Sequence, residues 1–239
     1  MARARVSQLR QQGAPTGDSP DVLLVCEHAL IRDALFMAFR DHGISSLPLP
    51  ASASSQQLDV ARQWALSQQP NCGLLVTELD EATQLFDAVS LLEAVSLAWL
   101  VLTSLPPGPA WGALLDAGAA EILPTSMSLD DLTVRIRSLR TGRETLARHE
   151  REELVLSWRR IADEQHMLHQ LLVQLSAREL EILKELQSGH SVRVIAARSG
   201  VAEATVRAQV KSLLRKLRVN SQLQAVACYR KATAWLTDE

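Results

Sequence analysis

The first 142 residues contain no lysine, and all four lysines of the chain (Lys184, Lys211, Lys216, Lys231) fall in its last 56 positions. Any chemistry in the front half that needs an ammonium group is therefore excluded. Cysteine is scarce as well: Cys26, Cys72 and Cys228 show no CxxC or Cys/His spacing, so a clustered metal site is not expected and reduced thiols are the default. No run is long and apolar enough to cross a bilayer, since Val22 to Cys26 and Ala98 to Thr103 are only strand-length. The start, Met1 to Asp18, is polar and lacks the apolar core of a signal peptide. Internal repeats, a glycine-rich phosphate loop and a nucleophile elbow are also missing. These gaps argue against an enzyme and against a membrane partner, and no cofactor is expected.

What is present is asymmetric. From 176 to 239 there are 11 Lys+Arg against 6 Asp+Glu, whereas from 1 to 142 there are 9 against 15. A total of −2 hides an acidic front and a basic tail, as expected when only one end meets phosphate. The basic segment opens on Ser176-Ala-Arg-Glu179, a capping-box spacing, followed by an apolar helix (Leu180, Ile182, Leu183, Leu186) that stops at Gly189. Ser191 suits the cap of a second short helix, Val194 to Ala197, ending at Gly200. After the turn Val201-Ala202-Glu203, a third helix carries Thr205 to Leu217. This order places one basic helix in a major groove of double-stranded DNA. Val194, Ile195, Val206, Val210, Leu213, Leu214 and Leu217 repeat at helical spacing and are expected in the core.

Leu175-Ser-Ala-Arg-Glu-Leu-Glu-Ile-Leu183, Ile195-Ala-Ala-Arg198, Thr205-Val206-Arg207 and Leu214-Arg-Lys-Leu217 together resemble the LuxR/NarL-type four-helix DNA-binding domain over about the last 65 residues. Arg207, Ala208 and Lys211 share a helix face that can meet base edges, and the resemblance assigns them that role. Thr205 suits a phosphate oxygen. Arg193, Gln209, Arg215 and Lys216 are expected as backbone contacts that set register and salt dependence; for Arg215 and Lys216 the alternative is a solvated helix face. The family often has His at Gln209 and Gly at Arg218, where Arg218 could add a phosphate contact.

From 21 to 142 strand-like and helix-like segments alternate. Strands are expected at 21–26, 46–49, 72–79, 99–103 and 121–123, with helices near 29–42, 56–68, 82–95, 109–117 and 128–141. Continuous apolar strands imply a parallel sheet covered on both faces, a flavodoxin-like domain active at the strand C-termini. Val22-Leu-Leu-Val-Cys-Glu-His28, Gly118-Ala-Ala120 with Leu123-Pro124, and Leu132, Ile136 and Gly142 resemble the receiver domain of response regulators. That resemblance implies two acids after the first strand, an acceptor Asp after the third, Thr or Ser after the fourth and Lys after the fifth, with Mg²⁺ held by the acids. Here Cys26 and Glu27 stand for the acids, Val76 or Thr77 for the acceptor, Thr103 for the hydroxyl and Thr125 for the lysine. The expectation is a pseudo-receiver that works without aspartyl phosphorylation. The alternatives are an acceptor displaced to Glu78, Asp80 or Glu81, a small-molecule ligand at the strand ends, or a fold kept only for partner docking.

Residues 143–174 hold no Gly or Pro. Leu154, Ile161, Leu168 and Leu175 recur every seven residues, and the companion seam Arg151, Trp158, Gln165, Leu172 is half apolar. A dimeric coiled coil is preferred; the alternative is a stripe packed on its own receiver or DNA-binding domain. The final helix near 222–234 is the family's usual dimer contact, through Ala225 and Val226, though a core role is equally open. His166 and His169 lack a third ligand; His28 beside Glu27 suggests acid–base work, but the resemblance implies no catalytic role there. The expected organisation is a disordered tail 1–19, a pseudo-receiver 20–142, a helical connector 143–174 and a helix-turn-helix domain 175–239. The expected function is a dimeric transcription factor with RNA polymerase as a further expected partner, a docking module without DNA readout being the competitor.

Overall fold

The computed structural model describes residues 20–50, 55–139 and 147–233. The expected tail 1–19 and the start of the connector, 143–146, lie outside the described residues. The chain divides into two compact units, Met1–Arg159 and Arg160–Glu239. That division falls inside one helix, so the expected connector is shared by both units instead of standing apart from them.

The first unit is a five-stranded parallel sheet in the order β2-β1-β3-β4-β5. Its strands are β1 (Val22–Cys26), β2 (Ser46–Pro50), β3 (Cys72–Val76), β4 (Trp99–Thr103) and β5 (Ala119–Pro124). The helices α1 (Ala29–Asp41), α2 (Ser55–Gln68), α3 (Ala82–Ala94), α4 (Pro109–Asp116) and α5 (Leu129–Leu139) alternate with them. This is the flavodoxin-like order, whose switch point lies between β1 and β3. Every residue of β1, β3 and β4 is buried, as unbroken apolar strands covered on both faces require. Pro48 and Pro50 sit in β2, which pairs only with β1, at an edge where a missing amide is tolerated. Strand β3 is shorter than expected, 72–76 in place of 72–79, and β5 is longer. Gly73 is required by packing: a Cβ there would meet the Trp99 ring at 2.3 Å. The Trp99 indole is itself satisfied by donating to the Val95 carbonyl at 2.9 Å.

The long helix α6 (Arg148–Val173) closes each unit at one end. In the first unit the Arg151 guanidinium donates to the carbonyls of Ala119 (2.6 Å) and Ala120 (3.0 Å). Arg159 grips Asp116 through Nη2 at 2.7 Å and Nε at 3.2 Å. Between them α6 lies so close to α4 that a Cβ on Gly112 would meet the Leu154 carbonyl oxygen at 2.3 Å and the Trp158 Cβ at 2.7 Å. In the second unit Leu171, Leu172 and Leu175 pack on the helical core, and the Gln165 amide donates to the Lys231 carbonyl at 2.8 Å. Leu154, Trp158 and Leu172, expected at a subunit seam, thus touch their own chain. The half-polar seam is explained too, because Arg151 and Gln165 both serve backbone carbonyls. Ile161 and Leu168 are half-buried.

The Gly112 contact is testable. Backbone meets backbone there, so neither side can yield by changing rotamer. Gly112→Val should cost about 1–3 kcal/mol and lower the urea midpoint of the full chain. An unchanged midpoint would contradict the close approach of α6 to α4.

Candidate nucleic-acid interface

The second unit adds α7 (Ala177–Gln187), α8 (Val192–Ser199), α9 (Glu203–Lys216) and α10 (Gln222–Thr233). Helix α7 starts on the capping box read from its sequence: the Glu179 amide donates to Ser176 Oγ at 3.2 Å and the Ser176 amide to Glu179 Oε2 at 2.7 Å. Gly189 follows its end with φ +81°, the left-handed conformation that glycine adopts freely. The Ser191 hydroxyl caps α8 by accepting from the Val194 amide at 3.4 Å, and Gly200 ends it at φ +65°. Helix α9 begins at Glu203, two residues before Thr205. Its N-cap, Ala202, has no side-chain acceptor, so the acidic Glu203 is what complements the helix start.

Burial sorts α9 into three faces. Val206, Val210, Leu213 and Leu217 are buried in the helical core with Ile182, Leu183 and Ile195. Arg207, Ala208, Lys211 and Arg215 are all exposed, and at 100° per residue they project from the side opposite that core. Thr205 on the first turn and Arg193 on α8 are exposed as well. Arg207 is held by the carboxylate one turn before it, with Nη2 to Glu203 Oε2 at 2.7 Å. Both members of this i,i+4 pair lie on the helix surface.

The third face corrects two assignments. Lys216, expected to meet the DNA backbone, instead binds Glu179 Oε2 of α7. Gln209 lies on the same flank, half-buried, with its Oε1 buried and bonded to nothing among the described residues. Two further expectations fail. Val194, expected in the core, is 39% exposed, and Ala225, expected at a dimer contact, is fully buried in its own unit. Val226 packs partly against the same core.

Glu179 is the residue whose second role the sequence reading missed. It is a capping residue that is also buried, and both its oxygens are used: Ser212 Oγ donates to Oε1 at 2.8 Å while Lys216 and the Ser176 amide serve Oε2. Burial alone would raise its pKa. The Lys216 ammonium, the Ser176 amide and the two serine donors outweigh that and hold it at about 2, against the ordinary 4.5. A carboxyl depressed in the folded state contributes stability that is complete above the unfolded value and is lost as pH falls through the folded one. The window is therefore pH 4.5 down to about 2, and the contribution is on the order of 2–3 kcal/mol. Urea unfolding of the full chain across that range should show a falling acid limb that flattens in Glu179→Gln. Equal limbs in the two proteins would contradict the clamp.

Arg218 occupies a position where the resemblance leads one to expect glycine. It follows the Leu217 C-cap with φ +58°, and the Val219 amide closes back to the Leu214 carbonyl at 3.0 Å. This is a left-handed helix end, where a side chain carries a cost that glycine does not.

The residues expected at the receiver-like site lie at the strand ends of the first unit. Cys26 and Val76 are in register, and the Thr77 amide donates to the Leu102 carbonyl at 3.0 Å. Thr103 is buried with its hydroxyl spent: it donates to the Glu78 carbonyl at 3.1 Å and accepts from the Leu105 amide at 3.2 Å. The Thr125 amide donates to the Thr103 carbonyl at 3.1 Å, and Thr125 and Glu27 are both exposed. Burial pushes the Cys26 thiol up, keeping it neutral. Of the neighbouring acids, Glu81 caps α3, and Glu78 faces His28 at 3.8 Å.

Comparison with known proteins bears on the second unit most directly. Residues 173–229 match the family model described as bacterial regulatory proteins, luxR family. A nitrate/nitrite response regulator protein homolog of Haemophilus influenzae is 30% identical over 116 residues, 48% of this chain and 52% of that protein, so the alignment spans about half of its length. Among solved structures, the two-component response regulator RcsB in its DNA complex matches 90% of this chain and 100% of its own, at 16% identity and TM-score 0.44. Full-length FixJ from B. japonicum matches 90% and 98%, at 17% identity and TM-score 0.40. From the last turn of α6 into α10, the helix-turn-helix region is thus similar to the luxR family of bacterial regulatory proteins.

Proposed function

We propose that this chain is a sequence-reading, DNA-binding transcriptional regulator that acts as a dimer and is controlled without aspartyl phosphorylation. The observation that carries the reading is the free face of α9. Arg207, Ala208, Lys211 and Arg215 project away from the core on a helix whose other sides are fixed by apolar packing and by Glu179. A rigid helix with a cationic outer face fits a major groove, where arginine and lysine donate to guanine O6 and N7 and a small residue accepts the thymine methyl. The luxR-family match and the excess of basic residues in the tail support the same reading, as does the response-regulator relative.

Within this reading Arg207 and Lys211 select bases, while Thr205, Arg193 and Arg215 grip phosphates. Lys211→Ala should weaken binding to a site selected from genomic DNA by about 10- to 100-fold and relax preference at one position. Arg215→Ala should weaken all sequences alike and reduce the salt slope by about 1. Gel shifts at several salt concentrations separate these effects, and unaltered affinity in both variants would refute the assignment.

Control without phosphate rests on the residues at the strand ends. Neither Val76 nor Thr77 supplies a carboxylate acceptor, Thr125 replaces the cation, and the Thr103 hydroxyl is already bonded twice. We assign control to a small ligand or a docking partner at this end of the sheet. Incubation with acetyl phosphate should leave the mass of the full chain unchanged, and an added phosphoryl group accompanied by a change in DNA affinity would overturn the proposal.

A further inference from the structure

Helix α9 carries one carboxylate, Glu203, and it stands in the first turn. An acid on a helix that approaches phosphates lowers affinity, because its charge subtracts from the attraction between protein and duplex. This acid is engaged with a reading residue. Its Oε2 accepts from Arg207 Nη2 at 2.7 Å, and both side chains keep contact with water, Arg207 68% and Glu203 38% exposed. Lys211 and Arg215, the other exposed cations of α9, have no carboxylate partner among the described residues. At 100° per residue Glu203 borders the free face beside Arg207, on the side away from Ser212 and Lys216. Ala204 and Ala208, both exposed, put only short side chains next to the pair.

We propose that Glu203 is a positioning residue for DNA readout, an inference that deepens the DNA-binding reading above and rests on it. Its carboxylate holds the Arg207 guanidinium as a fixed fork for O6 and N7 of one guanine. Glu203 thereby sets the preference for a G·C pair while lowering affinity for DNA in general. The carboxylate contact uses one of the five N–H groups of the guanidinium and leaves donors for the base. A guanidinium on an unrestrained stem also reaches phosphate oxygens, adenine N7 and thymine O4, and each such pose erodes the choice of base. Glu203 acts against those poses in two ways. It reduces the rotamer freedom that Arg207 loses on binding, and its own charge is repelled by the phosphates, which disfavours poses that carry the pair toward the backbone. In water an exposed pair of this kind adds little to stability. Between helix and groove, where water is excluded, the attraction of carboxylate for guanidinium strengthens. Sharper preference and weaker general affinity come from the same charge.

The test is competition gel shift with the full chain. The probes are a duplex that the wild type selects from genomic DNA, the same duplex with each base pair exchanged in turn, and random-sequence duplex. Glu203→Gln keeps the length and an acceptor oxygen but removes the charge. It should bind random-sequence duplex more tightly, with a salt slope steeper by about 1, while its discrimination at one G·C pair falls by about tenfold. Glu203→Asp keeps the charge at the helix start but shortens the reach by one methylene. It should lose the same discrimination without gaining affinity for random-sequence duplex. Arg207→Ala should lose preference at that pair, and adding Glu203→Gln to it should alter no base preference further. Urea midpoints of each variant separate lost positioning from lost folding, since a purely structural role would lower the midpoint and weaken binding to all duplexes alike. Unchanged discrimination in folded Glu203→Gln overturns the proposal, as does a uniform loss of affinity. A change of preference that persists on the Arg207→Ala background overturns it too, because Glu203 would then read a base itself. A wild type that shows no preference among duplexes overturns the DNA reading and this inference with it, whereas a selective wild type with an indifferent Glu203→Gln overturns this inference alone.

Discussion

One buried carboxylate organises the helical unit. Glu179 closes the first turn of α7 through Ser176 and reaches across to Ser212 and Lys216 on α9. A charge out of water is tolerated only when its lone pairs are satisfied, and three donors, the Ser176 amide, the Ser212 hydroxyl and the Lys216 ammonium, satisfy this one. The consequence is geometric: with apolar residues on one side of α9 and the Glu179 contacts on the adjoining flank, only one face remains for a partner. The rotation of α9 about its own axis is thereby fixed, and with it the direction in which Arg207 and Lys211 point. Electrostatics deep in the domain determines what the surface offers.

Helix α6 shows the same economy in a different form. Its seven-residue apolar repeat has the signature of a coiled coil; Leu154, Trp158 and Leu172 meet their own chain, while Ile161 and Leu168 stay half-buried. Gly112 removes the side chain that would hold α4 away, and Arg151 donates into the two carbonyls that open β5. Farther along, Gln165 and Leu172 serve the helical unit. A helix that must satisfy two different surfaces needs polar residues at fixed intervals among the apolar ones.

How much of this the sequence reveals depends on range. The strands were legible because unbroken apolar runs such as Leu23 to Val25 and Leu100 to Leu102 fit little else, and their order follows from the βα alternation. The capping box at Ser176 was legible because both members lie within one turn. Its connection to Lys216 was not, since 37 residues separate the partners and no local pattern links them. Ala225 illustrates the opposite ambiguity: a small residue suits a tight interface or a tight core, and only the packing decides. Arg218 had a visible signal, an arginine where related chains often carry glycine, and the positive φ supplies its physical reason. At the strand ends composition points to Thr103, but that its hydroxyl is already committed to Glu78 and Leu105 is a tertiary fact.

The two units divide the work by charge as well as by fold, with an acidic sheet domain and a basic helical one. The account's central claim is the assignment of faces on α9. NMR of the full chain titrated with its selected duplex tests it most directly, through backbone amides and arginine Nε–H resonances. The largest shifts should fall on Thr205, Arg207, Ala208 and Lys211, while Val210, Ser212 and Leu213 hold still. Shifts that bypass α9, or that spread evenly over its buried side, would contradict it.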